Sequence, residues 1–248
     1  MKQVLITGAS SGIGLQLAKD YANNGCHVYA CGQNQSRLAQ LVTNIDVAST
    51  GKITPLVFDV TNIEQTKQVL AQIETLPTLI ILNAGTCEYV DNGVIDSSLF
   101  KRVFEVNFFG IIHCLDAMQA RFTTATHLVF ISSSAAYTAL PRAEAYGASK
   151  AALSYLANGL AIDLKEKVKT VTLVNPGFVA TPLTNKNDFP MPMIVNCDYA
   201  SLKIRQGIEK QQAEVHFPIK FTLLLKAIAL FPVALQRIII QRMTRNAS

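Results

Sequence analysis

Charge is scarce in this chain and unevenly placed. Asp, Glu, Lys and Arg make up 16% of the 248 residues against 50% apolar ones, a balance that supports one large core and needs no second domain. No stretch reaches 18 apolar residues without a charge, which argues against a membrane-spanning helix. The five cysteines, Cys26, Cys31, Cys87, Cys114 and Cys197, are odd in number and include no C-x-x-C pair, and a strand pattern opens within a few residues of Met1. A reduced, cytoplasmic chain is expected. The four histidines, His27, His113, His127 and His216, form no H-x-x-x-H pair or His/Cys cluster, so no metal site is expected. There is no internal repeat and no low-complexity segment. Acidic residues nearly vanish from the tail: residues 1–202 carry 14 Lys/Arg against 15 Asp/Glu, and residues 203–248 carry 8 against 2. That excess says nothing of the fold, but makes the tail a candidate for an anionic surface. No nucleic-acid partner is expected.

What the chain does have is a glycine-rich turn between a strand and a helix. Val4-Leu5-Ile6 is an apolar run, Thr7-Gly8-Ala9-Ser10-Ser11-Gly12-Ile13-Gly14 follows, and a helical pattern begins at Leu15. Glycines let the backbone turn sharply and approach a ligand with no Cβ in the way, while unpaired N–H groups at the helix start face negative charge. A pyrophosphate fits such a turn. The spacing is G-x-x-x-G-x-G rather than G-x-G-x-x-G, so a dinucleotide site rests on the strand-turn-helix context. A tight loop that binds nothing is the alternative.

Short apolar strands recur at His27–Cys31, Ile53–Phe58, Leu79–Leu82, Leu128–Ile131, Val171–Val174 and Val215–Phe217. Between them run helical patterns: to about Asn24, from Ser36, after a cap at Thr61, from about Ser97 to Arg121, Tyr146 to Lys165 and Tyr199 to Gln211. This alternation predicts an α/β fold, a doubly wound parallel sheet closed by right-handed crossovers. Ligands then sit at strand carboxyl ends, where Gly8–Gly14, Asp59, Asn83, Ser133 and Pro176-Gly177 all fall. Residues 1–218 form the expected domain, with a lid or substrate loop over about 182–198, spaced by Pro182, Pro190 and Pro192. Residues 219–248 form a C-terminal extension, a pair of short hydrophobic and basic helices broken at Pro232.

Tyr146 and Lys150 lie four apart on a helix, so they share one face. A free tyrosine has a pKa of about 10 and is scarcely ionised at neutral pH. A neighbouring ammonium favours the phenolate and yields a group able to exchange a proton with an alcohol or ketone. A surface helical pair is the alternative for this spacing alone. Asn107 sits in the middle of a helical pattern, where asparagine is a poor former, which points to a functional or an ordinary polar position. Ser132, Ser133 and Ser134 cannot be told apart by residue type.

Taken together, Thr7 to Gly14, Asp59-Val60, Asn83-Ala84-Gly85, Asn107, Ser133, Tyr146 with Lys150, and Pro176-Gly177 with Thr181 resemble the short-chain dehydrogenase/reductase family in order and spacing. The match covers residues 1 to about 182. The resemblance implies a single-domain Rossmann fold and an oxidoreductase that moves a hydride between nicotinamide and a carbonyl or secondary alcohol. It implies Tyr146 as general acid or base, and Ser133, thirteen residues earlier, as donor to the substrate oxygen. Lys150 would lower the tyrosine pKa and bind the nicotinamide ribose, and Asn107 would hold a proton-relay water. For the cofactor it implies Gly8, Gly12, Ile13 and Gly14 at the phosphates, Asp59 and Val60 at the adenine, and Asn83, Ala84 and Gly85 on the adenosine side. Tyr146, Lys150, Pro176, Gly177 and Thr181 would meet the nicotinamide end. Leu82 departs from the family where an asparagine often precedes Asn83, and Ala136 where a glycine often follows the serine; the second could narrow the substrate mouth.

Gly32-Gln33-Asn34 ends the second strand with no carboxylate to repel a 2′-phosphate, so NADP(H) is expected over NAD(H). Ser10, Asn34 and Arg37 are the candidate contacts, because Ser11 and Gln33 stand where many NADP-using members have arginine. A non-catalytic dinucleotide sensor on the same fold is the alternative, set against by the complete Asn107, Ser133, Tyr146, Lys150 group. Leu183 to Asp198, Tyr137, Leu140, Glu88 and Tyr89 are the positions expected to shape the pocket. The apolar candidates Tyr137, Leu140, Phe178, Phe189 and Met191 to Met193 indicate a small-molecule substrate that is a hydrophobic, lipid-like or steroid-like carbonyl or secondary alcohol. A homodimer or homotetramer follows from the family's habit of pairing the helices of Asn107 and Tyr146; Leu153, Leu156, Leu160 and Leu164 suit that pairing and packing on the sheet equally. Residues 219–245 combine large apolar residues with only positive charge, including Lys220, Lys226, Arg237, Arg242 and Arg245. Two readings stand: peripheral contact with an anionic membrane, or a cover over the substrate pocket or a subunit interface.

Overall fold

The structure, a computed structural model, describes residues 1–43 and 50–245; the last three residues of the expected extension and the side chain of Arg245 lie outside the described part. Seven strands form one parallel sheet: β1 (Gln3–Thr7), β2 (His27–Gly32), β3 (Lys52–Val57), β4 (Leu79–Leu82), β5 (His127–Ile131), β6 (Thr170–Pro176) and β7 (Glu214–Phe217). Their order is β3-β2-β1-β4-β5-β6-β7. The winding reverses between β1 and β4, which places a crevice at the strand carboxyl ends there.

Period-two alternation feeds two cores from the same strands. Val4 and Ile6 of β1, with Val129 and Ile131 of β5, face one layer. That layer holds α1 (Gly12–Asn23), α2 (Gln35–Thr43) and α7 (Cys197–Glu209), through Leu17, Leu38 and Ile204. Leu5, Leu128 and Phe130 face the other, made by α3 (Ile63–Ala71), α5 (Gly110–Met118) and α6 (Glu144–Asp163), through Leu70, Ile111 and Leu153. Leu82 is fully buried in that second core, so its departure from the family concerns packing alone. Each imidazole is occupied: His27, His127 and His216 pair with threonine hydroxyls and His113 with the Val60 carbonyl.

Several expectations need correction. α1 starts at Gly12 rather than Leu15, because the glycine turn itself delivers the first helical residues. The cap of α3 is Asn62, whose Oδ1 accepts from Gln65 N at 3.0 Å; Thr61 instead donates to Asp59. The long helix expected over 97–121 is α4 (Ser97–Phe104), a π-helical turn over Glu105–Phe109, then α5 and a 3-10 turn. Asn107 lies in the π turn, and Gly110 follows it because a Cβ there would stand 2.6 Å from Val60 Cγ2. Leu153 is buried, and Leu156, Leu160 and Leu164 pack on the same core, so the leucine stripe of α6 is spent on the sheet. The extension forms α8 (Ile219–Ala229) and α9 (Val233–Arg245).

Candidate active site

A cleft of about 560 Å³ runs across the strand carboxyl ends. Its floor is the turn after β1, where Gly8 has φ +66° and a Cβ would stand 2.8 Å from Ala84 Cα. Only glycine suits that position. Gly12, at φ +56°, is held in the same left-handed region. Asn83 fixes the turn: its Nδ2 donates to Thr7 O and Gly8 O at 3.0 and 3.3 Å. The buried Thr7 hydroxyl accepts from Asn83 N and Ala84 N at 2.9 and 3.0 Å. Two strands are thus locked around backbone that a ligand can approach.

Of the residues named from sequence for this cleft, Gly8, Ser10, Gly12, Ile13, Asn34, Asp59, Val60, Asn83, Ala84, Gly85, Tyr146, Lys150, Pro176, Gly177 and Thr181 line it. Gly14 does not. It is buried behind the turn, where a Cβ would meet Gly8 O at 2.3 Å, so it lets α1 pack against β1 rather than facing the cleft. Asp59 is the one carboxylate among the lining residues, and one of its oxygens is already bonded to Thr61 N and Oγ1. Asn34 uses its Oδ1 on Ser36 and Arg37 N, which leaves its amide NH₂ and the exposed Arg37 beside the end of β2.

Ser133 and Tyr146 line this cleft and also a second one. Ser133 sits just past β5, its Oγ accepting from Ala135 N at 3.1 Å. Its neighbours differ in kind. Ser132 donates to Lys150 O at 2.9 Å and pairs with Ser154, tying β5 to α6, and Ser134 is buried in the second cavity. Lys150 is buried, with Nζ donating to Ile131 O at 2.9 Å and lying 5.9 Å from the Tyr146 ring centre. Asn107 is fully buried and lines neither cleft. It clamps Thr86, accepting from its N at 2.7 Å and donating to its O at 2.9 Å, and it donates to Ser149. Both Lys150 Nζ and Asn107 Oδ1 crowd Gly85, at 3.3 and 3.4 Å from where its Cβ would be.

The electrostatics of this group differ from the expectation. Burial pushes the Tyr146 phenol up to about 12, although a hydrogen bond with Ser133 pulls the other way. Burial also presses Lys150 down to about 8. In the protein alone, desolvation outweighs the help that the Ser133 hydrogen bond gives the phenolate.

The second cavity has about 1030 Å³ and is mostly apolar. Tyr89, Leu140, Phe178, Phe189 and Met191 line it as expected. Tyr137 and Glu88 do not: Tyr137 donates to Glu214 at 2.6 Å, and Glu88 pairs with Arg102 at 2.7 Å. Met193 is exposed, and Ala136 lines neither cleft, so it does not narrow the mouth. Sequence reasoning missed Cys87, Arg142 and, on α8 and α9, Phe221, Leu225, Ile240 and Met243. Phe221, Leu225 and Ile228 recur at helical spacing, a signal that could have shown an inward face. The loop over 182–198 is pinned at its base by Ala180 N to Val195 O and Val195 N to Phe178 O, at 2.8 and 3.0 Å.

Comparison with known proteins agrees with this architecture. The family model described as short chain dehydrogenase matches residues 2–190. An uncharacterised oxidoreductase of Myxococcus xanthus is 33% identical over 224 residues, covering 88% of this chain and 87% of its own. An NADPH-dependent 1-acyldihydroxyacetone phosphate reductase of Saccharomyces cerevisiae is 30% identical, over 79% of this chain and 67% of its own. A short-chain dehydrogenase from Sphingobium yanoikuyae, solved with NADPH, superposes with a TM-score of 0.80 at 22% identity, covering 92% and 93% of the two chains. One from Burkholderia phymatum, solved with NAD, does so at 0.80 and 20%, covering 91% and 92%. The chain is a Rossmann-type oxidoreductase. It belongs to the short-chain dehydrogenase/reductase family.

Proposed function

We propose that this protein is an NADP(H)-preferring oxidoreductase that interconverts an apolar ketone or aldehyde and its alcohol, with Tyr146 as general acid and base. One observation carries the reading: Ser133 and Tyr146, with Gly177, Leu183 and Thr184, line both a glycine-floored polar cleft and a large apolar cavity. The polar cleft fits a dinucleotide, because its floor is a turn held in the left-handed region at Gly8 and Gly12 where α1 starts, a place where unpaired backbone N–H groups suit a pyrophosphate. Ser10, Gly12 and Ile13 would then hold the phosphates, Asp59 and Val60 the adenine, and Asn83 to Gly85 the adenosine side. Thr181 and the Pro176-Gly177 turn would meet the nicotinamide end.

A bound nicotinamide supplies or accepts the hydride. The chain's own residues manage the oxygen. Ser133 donates to the substrate oxygen as negative charge develops there. Tyr146 gives that oxygen its proton, or takes it in the reverse direction. Lys150 holds positive charge beside the phenol and would bind the nicotinamide ribose, and its ammonium favours the phenolate that remains. Asn107 holds Thr86 and the start of the cavity wall, and a relay water would use its remaining acceptor capacity.

The test is oxidation of NADPH against a panel of aliphatic, aromatic and sugar carbonyls, with the apolar ones expected to turn over. Failure with every carbonyl and alcohol overturns the reading. The cofactor preference is supported by the absence of an acidic residue from Gly32-Gln33-Asn34 at the end of β2 and by the exposed Arg37. It predicts kcat/KM for NADPH above that for NADH, and a tenfold preference for NADH refutes it. A homodimer or homotetramer in the cytoplasm is part of the same proposal, supported by Tyr155 and Ile162 of α6, 85% and 77% exposed. Sedimentation at micromolar concentration should show the oligomer, and a monomer would remove this part. Among the described residues no helix is long and apolar enough to cross a membrane.

A further inference from the structure

The two C-terminal helices carry two apolar faces, and the body covers only one. Phe221, Leu225, Ile228 and Ile240 are buried against Tyr137, Leu140 and Phe178. On the outer side Leu230 is 88% exposed, Val233 60% and Leu223 50%, with Phe231 and Ile238 also exposed. Large apolar side chains exposed together on one pair of helices mark an interaction surface. The charge on these two helices has one sign. No acidic residue follows Glu214 in the sequence; Lys220, Arg237 and Arg242 are exposed on the same helices, and Lys226 is already paired with Glu214.

These two properties together select the occupant. A second copy joined through the same patch would set like charges against each other across the two-fold axis. An anionic bilayer satisfies both features at once, since apolar side chains enter the headgroup boundary while basic ones meet lipid phosphates. We infer that the outer face of α8 and α9 docks on an anionic phospholipid surface. The same helices wall the large cavity, and Met243 is at once part of its lining and 40% exposed. The cavity wall therefore includes a surface residue of the docking helices. Resting on the proposal that this cavity is the substrate site, the substrate class is an apolar carbonyl or alcohol dissolved in the bilayer.

Co-sedimentation of the full chain with phosphatidylserine-containing vesicles, beside phosphatidylcholine alone, reads the docking without any turnover. Binding is expected to the first at low salt and to weaken as salt rises. Lys220→Glu with Arg237→Glu should weaken it about tenfold or more, and Leu230→Ser with Val233→Ser should abolish it. All four positions are exposed, and thermal melting by circular dichroism verifies that each variant is folded. An intact chain that stays in the supernatant overturns the inference, as does binding that both variants retain. Self-association lost in these variants without vesicle binding would assign the face to a second copy instead. The substrate class is read separately, with a vesicle-dissolved ketone and a water-soluble one. The docking variants should lose turnover of the first only; equal retention of both removes the delivery role. If neither ketone reacts, the enzymatic proposal falls and vesicle binding still decides the docking.

Discussion

Around the glycine turn the chain works with backbone, and around the apolar cavity it works with side chains drawn from distant stretches. The dinucleotide-type cleft is made by residues just past β1 to β6, of which β4 and β5 are buried on both faces. Its parts are over-determined: Gly8 is fixed by φ and by Ala84, Gly14 by Gly8 O, and Thr7 by two backbone donors. The cavity wall combines Tyr89, Leu140 with Arg142, the loop over 182–198, and α8 with α9. Few of those positions require a particular residue. The difference teaches that one half of the site is constrained by geometry, whereas the other is free to vary with the ligand, because any apolar side chain of suitable volume maintains a cavity.

The sharpest way to test this division is at the wall the two halves share. Tyr146→Phe removes a proton donor and no part of the glycine cradle. It should lower kcat by about 10²- to 10⁴-fold while cofactor affinity stays nearly unchanged. Ser133→Ala should also lower kcat. Ser132→Ala should act mainly on stability, because that hydroxyl ties β5 to α6. Comparing kcat with the melting temperature across the three serine-to-alanine variants checks the assignment, and a larger kcat loss at Ser132 or Ser134 would move the role to that neighbour.

That same division explains what could be read from sequence. The strands and the turn were legible because apolar runs of four to seven residues admit one arrangement when flanked by helices, and because glycine has few other reasons to recur at 8, 12 and 14. The roles of Ser132, Ser133 and Ser134 were not legible from residue type. They depend on which side of β5 each hydroxyl leaves, which is a matter of register. The π turn at Asn107 has no periodic signature of its own, since one added residue per turn leaves the apolar pattern on either side intact. The inward face of α8 was visible as spacing, but nothing local says which cavity a helix will cover. The phenol of Tyr146 was expected to fall and instead rises to about 12, because sequence reveals the neighbouring lysine but not the burial that opposes it.

Lys150 connects function to stability. Its folded-state pKa of about 8 lies below the ordinary 10.5, so the unfolded chain binds more protons between those values and stability from this group rises with pH across that window. Below about pH 8 the buried ammonium costs the fold on the order of 3 kcal/mol. Lys150→Met should remove that cost, less about 1 kcal/mol for the lost hydrogen bond to Ile131 O, while abolishing most turnover. The protein without cofactor should therefore melt higher as the variant at pH 7, and the gap should close as pH approaches 10.5. A variant that melts lower at pH 7 would show that the lysine is held more favourably than its burial implies.

The smallest effect is expected on the side-chain half of the site, at Arg142. Its guanidinium bridges Asp91 at 2.9 Å and Asp188 at 2.6 Å, and stacks 5.4 Å from the Tyr89 ring centre and 5.9 Å from that of Phe189. One side chain thus holds the 182–198 loop against the Tyr89 wall. Arg142→Ala should loosen the loop and raise KM for apolar substrates roughly three- to tenfold, with kcat and the KM for cofactor little changed. Arg142 has φ +63°, but alanine and arginine both carry a Cβ, so that strain is common to the two and cancels in the comparison. Arg142→Lys keeps the charge and loses the planar fork and the ring stacking, so its KM should fall between the two. Both ion pairs are exposed and screened by salt; the native KM should rise with ionic strength, and that of Arg142→Ala should not. A KM for Arg142→Ala equal to the native one would mean that the aromatic contacts of Phe189 with Tyr89 and Phe178, with the hydrogen bond from the Tyr89 hydroxyl to Asn187 Oδ1, hold the loop without it.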